Sequence, residues 1–378
     1  MRTVARRQPE WTIDLPQPFT GADADLEIFR PAIYVFCHKT VGNGFYVMVT
    51  PDSAKLESAS EARFREAAMN LSSSKETAAL SAPLGLRPRG LTKFIPGTGR
   101  VVRHYGSLDP VLGRIGSLEV RLATTTREIR KAQRLRFKVF YEEMSASPNG
   151  ATLISRRDVD AYDALCDHLL VLDHDVKPKP FRSAKPKVVG TYRLLRQDIA
   201  NRHGGFYTRG EYDIAPLLTA HPGLRFLELG RSCVLEPYRN KRTVELLWHG
   251  IWTYVLHHRI DVMMGCASLE GTDPQDLALP LSFLHHYAAA PAEWQACALP
   301  ERFTAMDILP KEAIDPKAAL HALPPLIKGY LRLGATFGTG AVIDRQFGTT
   351  DVLVILPVSA INPRYIGHFG PAANRHAA

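Results

Sequence analysis

One stretch constrains the fold more than any other: residues 226–248, FLELGRSCVLEPYRNKRTVELLW. It reads as a strand over 226–235, a basic turn containing a proline over 236–242, and a helix from Thr243 to about Arg259. Leu247, Ile251 and Val255 recur four apart, so this helix offers one apolar stripe for a sheet to cover. A strand running into a helix N-terminus exposes backbone N–H groups at the positive end of the helix dipole, which makes an anion site. Arg239, Lys241 and Arg242 add three cations there. A pyrophosphate or a phosphopantetheine phosphate suits the junction; a solvated basic turn is the alternative.

The strand also carries Glu228 and Arg231 with Leu229 and Gly230 between them. Charges inside an apolar strand are costly unless partnered, and Gly230 permits a bulge that re-aims the side chains. They read either as a structural ion pair or as a carboxylate base beside an orienting cation.

The rest of the chain alternates strands and helices. Leu118, Val120 and Leu122 alternate with polar residues and predict a strand. Threonines at 124–126 offer an N-cap for a helix over 128–144, with Ile129, Ala132, Leu135, Val139 and Phe140 mostly three or four apart. Arg136 lies beside that stripe, and an acidic segment over 158–167 follows. Two carboxylates with an aromatic between them, Asp160 and Asp163 around Tyr162, suit a substrate bearing an ammonium group. Further strands are expected over 168–173, 188–195, 262–268 and 351–357, and helices from about Pro274 and over 324–333. His257, His258 and Arg259 end the long helix, where cations suit the dipole. The fold class is α/β or α+β with a mixed sheet. His168 and Asp173 match an H-x4-D acyltransferase pattern, but five residues apart on a strand they face opposite ways and make no dyad.

Residues 1–105 hold short apolar islands between Ser/Ala-rich and Pro/Gly-rich segments, with a thin helix candidate over 60–80. The expectation is a poorly ordered extension, then a folded domain over 106–365 and a flexible tail over 366–378. The formal net charge of +9 favours acidic partners: nucleic acid, an anionic membrane surface or an acidic carrier protein. The cations are spread along the chain with no nucleic-acid-binding motif, so no nucleic-acid partner is assigned. Five dispersed cysteines without metal-ligand spacing suggest no metal site and reduced thiols, as in the cytoplasm. No run approaches the roughly 18 apolar residues of a membrane span, and the polar first ten residues are not a secretory signal.

The order Arg136 and Phe140, Asp160 and Asp163, Arg193, then Glu228 and Arg231 resembles the acyl-homoserine-lactone synthases. Ala146 stands where those enzymes carry a tryptophan six residues after the matching Phe, which weakens the case for their S-adenosylmethionine substrate. The chain is more similar to the ornithine–acyl-carrier-protein N-acyltransferases. The similar stretches are LRFKVFYEEM, DVDAYDALCDHLLVLD, ELGRSCVLEPYRNKRTVELLWHGI, GCASLEGTDP and PPLIKGYLRLGA with FGTTDV, over about 116–358.

The resemblance implies a GNAT-like acyltransferase with a central mixed, largely antiparallel sheet flanked by helices. It implies L-ornithine as acceptor, acyl carrier protein as partner and acyl-phosphopantetheine as donor, with no bound cofactor. Glu228 would be the base, acting through a water, beside Arg231, which would oppose any rise in its pKa. Arg136 or Arg193 would take the amino-acid carboxylate, and Asp160 and Asp163 its side-chain ammonium. Phe140 would line the substrate site. Backbone N–H groups near Cys233 and Val234 would hold the thioester oxygen, and Val234, Arg239, Lys241, Arg242 and Thr243 the phosphopantetheine arm. The location expected is the cytoplasm, with peripheral contact at an anionic inner membrane. The rivals are acylation of another amine by the same fold, and a catalytically silent carrier-protein or membrane binder.

Overall fold

The computed structural model describes residues 105–175 and 185–362, together with Tyr365. The expectations for the extension before Tyr105, for a helix over 60–80 and for the tail over 366–378 lie outside the described residues.

The described strands are β1 (Val111–Ile115), β2 (Leu118–Leu122), β3 (Asp167–Asp173), β4 (Lys187–Arg196), β5 (Tyr212–Asp213) and β6 (Phe226–Val234). They continue with β7 (Val262–Glu270), β8 (Cys297–Ala298), β9 (Phe303–Thr304), β10 (Thr336–Asp344) and β11 (Thr349–Pro357). The sheet runs β1-β2-β3-β4-β6-β7-β11-β10-β8-β5, with β9 beside β10. Within it β6 pairs parallel with β7, and β10 with β8; the other neighbours are antiparallel. The expected mixed, largely antiparallel sheet is therefore the one that forms.

The longer helices are α1 (Thr126–Phe137), α2 (Lys241–His258), α3 (Ala278–Tyr287) and α4 (Pro325–Leu333). Thr125 and Glu128 close α1 with a reciprocal capping box, satisfying two orphan N–H groups. The helix expected over 128–144 changes character midway: after Phe137 the chain widens into a π-helix, Lys138–Glu143. Val139 and Phe140 are both buried there, Phe140 with its ring edge-on to Phe347. Asn240 caps α2, so that helix starts two residues before Thr243. Leu247, Ile251 and Val255 are buried as the stripe requires. Gly250 permits close packing on the sheet, because a Cβ there would lie 2.6 Å from Val120. At the far end of α2, burial and then the charge of Arg196 push His258 down to about 4, so it is neutral rather than the expected cation.

The apolar run of β11 is buried on both faces, which explains why it does not alternate with polar residues. Val352, Val354 and Leu356 join the larger core with α2, while Leu353 and Ile355 join a second core with Phe206, Tyr212 and Leu217. Among the described residues no helix is long and apolar enough to cross a membrane.

Candidate active site

The crossover through α2 makes β6 and β7 parallel neighbours, but only at their starts. Phe226, Leu227 and Glu228 pair with Val262, Met263 and Met264, and the ladder stops there. Gly265 lies so close to β6 that a Cβ would fall 2.2 Å from the carbonyl oxygen of Leu229. Beyond this point the strands fork around a cleft of about 170 Å³, lined by both strands, Phe140, Tyr330 and the β10–β11 turn. That is smaller than the roughly 300–1,000 Å³ of a drug-sized pocket and suits an amino-acid-sized ligand.

Glu228 sits at the fork, buried. Its Oε1 accepts the N–H of Thr208 at 2.7 Å and the Thr208 hydroxyl, and its Oε2 accepts the N–H of Tyr207 at 2.8 Å. Burial pushes its pKa up, against these hydrogen bonds and the charge of Arg193. The opposing charge is that of Arg193 rather than Arg231, the cation named from the sequence.

The expected bulge is present. From Thr191 to Arg193 on β4 the partners on β6 step from Cys233 to Gly230, one residue more than a regular ladder. Arg231 takes φ +50, an unusual backbone for a non-glycine residue. Its guanidinium lies over the rings of Phe347 and Tyr207 at 4.9 and 5.4 Å. Its contacts to Asp158 and Asp160 are long, 3.6 and 3.4 Å, and its buried Nε has no acceptor at hydrogen-bond distance.

The residues assigned to substrate by charge complementarity are largely committed to one another. Arg136 is fully buried and grips Asp158 at 2.8 Å and Asp163 at 2.7 Å. Arg193 holds both oxygens of Asp160 at 2.6 Å. Asp160 and Asp163 also form a capping box around the short 3-10 helix Ala161–Ala164. Burial alone would raise Asp163, but Arg136 holds its carboxyl well below the ordinary range. Of this set only Arg193, with Phe140, reaches the cleft wall; Arg136, Asp160 and Asp163 lie behind it. His168 and Asp173 take separate partners, the Asp163 carbonyl and the Tyr238 hydroxyl, and form no dyad.

The proposed phosphopantetheine residues gather at the start of α2. Lys241 and Arg242 are exposed and Thr243 is buried. Arg239 is tied to Glu143 and to the carbonyl of Val234. Leu235 donates its N–H to Val189 next to β4. Alternate N–H groups of a strand point to opposite sides, so that of Val234 points toward the fork.

Sequence reasoning missed three carboxylates in the cleft. Glu211, Asp344 and Asp351 each bring an oxygen within 4.8 Å of the others. Burial, then the charge of Glu211, push Asp351 up to about 7, and burial raises Glu211. They lie far apart in sequence, and only the stretch FGTTDV, which contains Asp351, had marked any of them.

The forked parallel pair, the bulged strand and the helix N-terminus beside it define an acyltransferase of the GNAT fold. Residues 135–249 match the family model described as an acetyltransferase (GNAT) domain. The L-ornithine N(alpha)-acyltransferase of Agrobacterium fabrum is 56% identical over 71% of this chain and 90% of its own length. Proteins of the same name from Rhizobium meliloti and Brucella abortus are 54% and 55% identical, over 71% and 70% of this chain and 89% and 93% of their own. The chain belongs to the L-ornithine N(alpha)-acyltransferase family.

Proposed function

We propose that this chain transfers a fatty or 3-hydroxyfatty acyl group from the phosphopantetheine of acyl carrier protein to the α-amine of L-ornithine, giving lyso-ornithine lipid. Support for the acceptor comes from the relatives named L-ornithine N(alpha)-acyltransferase. The observation that carries the chemistry is the buried carboxylate of Glu228 at the fork, its pKa raised.

An α-ammonium with a pKa of about 8 or above must lose a proton before it attacks a thioester. Glu228 takes that proton through a water. The amine forms the new C–N bond, and charge develops on the thioester oxygen. The N–H of Val234, directed into the fork, is placed to hold it. The nitrogen of the adduct gives up its second proton to solvent, the C–S bond breaks, and the thiolate takes the proton relayed from Glu228. Arg231, which lines the cleft and meets its carboxylates only at 3.4 and 3.6 Å, is better suited than Arg136, buried behind the wall, or Arg193, clamped on Asp160, to grip the amino-acid carboxylate. Lys241 and Arg242, exposed at the start of α2, face the phosphate of the arm and the acidic carrier protein.

The product is an amphiphile, and the enzyme releases it at the cytoplasmic membrane face through peripheral contact. The net charge of +9 supports this, as do exposed Leu153, Ile154 and Val159 flanking Arg156 and Arg157.

The test is one reaction set read by mass spectrometry: purified protein, ornithine, and a 3-hydroxyacyl group on either carrier protein or coenzyme A. Acyl-ornithine formed at least tenfold faster from the carrier-protein donor is the expected result. No acyl-ornithine from either donor would overturn the reading.

A further inference from the structure

The carboxylate cluster has no part in the proton transfer, yet it opens into the same cleft as Glu228. Its three members come from different elements: Glu211 follows the 3-10 turn Tyr207–Gly210, Asp344 ends β10 and Asp351 belongs to β11. Asp351 accepts hydrogen bonds from the hydroxyls of Thr349, at 3.0 Å, and Ser268. Glu211 is 5% exposed, takes a hydrogen bond from the Cys266 thiol, and its nearest cation, Arg302, stands 3.8 Å from Oε1. Its Oε2 is buried without a hydrogen-bond donor. A buried carboxylate oxygen left in that state costs free energy that a cationic ligand recovers.

Three oxygens within 4.8 Å of one another match an ammonium group. Acceptors held tetrahedrally at about 2.8 Å from a nitrogen lie roughly 4.6 Å apart. Arg231 and the carboxylate cluster share the cleft, so it offers a cation for an α-carboxylate and anions for a distal ammonium. We infer that Glu211, Asp344 and Asp351 form the subsite for the side-chain ammonium of a diamino acid, and that this subsite selects ornithine over amino acids with uncharged side chains. The inference rests on the acyl-transfer reading above and names the specificity device of that same site.

The turn that supplies Glu211 is the one clamped by Glu228, since Thr208 donates to Glu228 and accepts the N–H of Glu211 at 2.9 Å. The base and the subsite are thereby held in one register.

The experiment compares ornithine with norvaline, which has the same carbon skeleton without the distal amine, as acceptors for wild type, Asp351→Asn and Glu211→Gln. Wild type is expected to favour ornithine by a kcat/KM ratio of about 100-fold or more. Each variant is expected to lose on the order of 10- to 100-fold with ornithine and less than threefold with norvaline. Equal losses with both acceptors, or an unchanged preference for ornithine, would overturn the subsite while leaving the acyl-transfer reading intact. Acylation of neither acceptor by wild type would overturn both readings. Calorimetric titration with Mn²⁺, Zn²⁺ and Ca²⁺ completes the test. Micromolar metal binding lost in Asp351→Asn would overturn the inference in favour of a metal site.

Discussion

Thr208 donates both its backbone N–H, at 2.7 Å, and its hydroxyl to one oxygen of Glu228, although the two residues lie twenty positions apart. The strand that carries the carboxylate thus also fastens the turn Tyr207–Gly210 across the cleft. Hydrogen bonds of this kind favour the ionised form. Glu228 is held between that influence and burial, and its pKa remains raised.

Thr208→Val removes the hydroxyl donor and keeps the shape. The pKa of Glu228 should rise further, so a higher pH is needed to deprotonate the base. The acid limb of the kcat/KM profile should move up by about half a unit to one unit, with about 1–2 kcal/mol lost in denaturant unfolding. An unshifted limb in a folded variant would separate Glu228 from the rate.

Asp163→Asn leaves Arg136 buried with one anionic partner fewer. Breaking a buried pair costs about 3–5 kcal/mol. Because the folded pKa of Asp163 is depressed, its contribution is full above the unfolded value near 4 and is lost as pH falls below it. Thermal melts between pH 3 and 7 should show wild type losing stability at the acid end more steeply than the variant.

Asp351 has the opposite sign. Its native carboxyl keeps a proton up to about pH 7, whereas an unfolded aspartate releases it near 4. The native state binds more protons in that window, so this group lowers stability as pH rises through it. Asp351→Asn should therefore be more stable than wild type at pH 8, by on the order of 1–3 kcal/mol. Ornithine should stabilise wild type more than the variant in the same melts.

Gly265→Ala puts a Cβ 2.2 Å from the Leu229 carbonyl at the fork. Either the strands part or the chain misfolds, so both melting temperature and activity should fall. Gly250→Ala meets only the side chains of Val120 and Leu169. It should cost about 1–3 kcal/mol and leave kcat within threefold.

Much of this was legible in the sequence because local rules sufficed. The period of Leu247, Ile251 and Val255 located α2, Gly230 announced the bulge at Arg231, and the threonines before Glu128 announced the N-cap of α1. The π-helix at Lys138–Glu143 was not legible, because spacings of three and four do not reveal one extra residue in a turn. The hairpin partner β10 was missed because its glycine-rich start hides the alternation. Charge complementarity alone did not reveal which of these charges pair with one another. Asp160 and Asp163 satisfy Arg193 and Arg136, and nothing local distinguishes an aspartate that meets an arginine from one that meets a substrate. The cluster of Glu211, Asp344 and Asp351 exists only once the sheet brings β10 and β11 to the turn after Thr208.

The most direct test of the account is kcat for acyl transfer to ornithine by Glu228→Gln, measured beside its melting temperature and its ornithine affinity. The account predicts a fall in kcat of about 100-fold or more. The melt should drop only a few degrees as the Tyr207 N–H loses its acceptor, and ornithine affinity should stay within threefold. A folded variant whose kcat lies within threefold of wild type would contradict the assignment of Glu228 as the base.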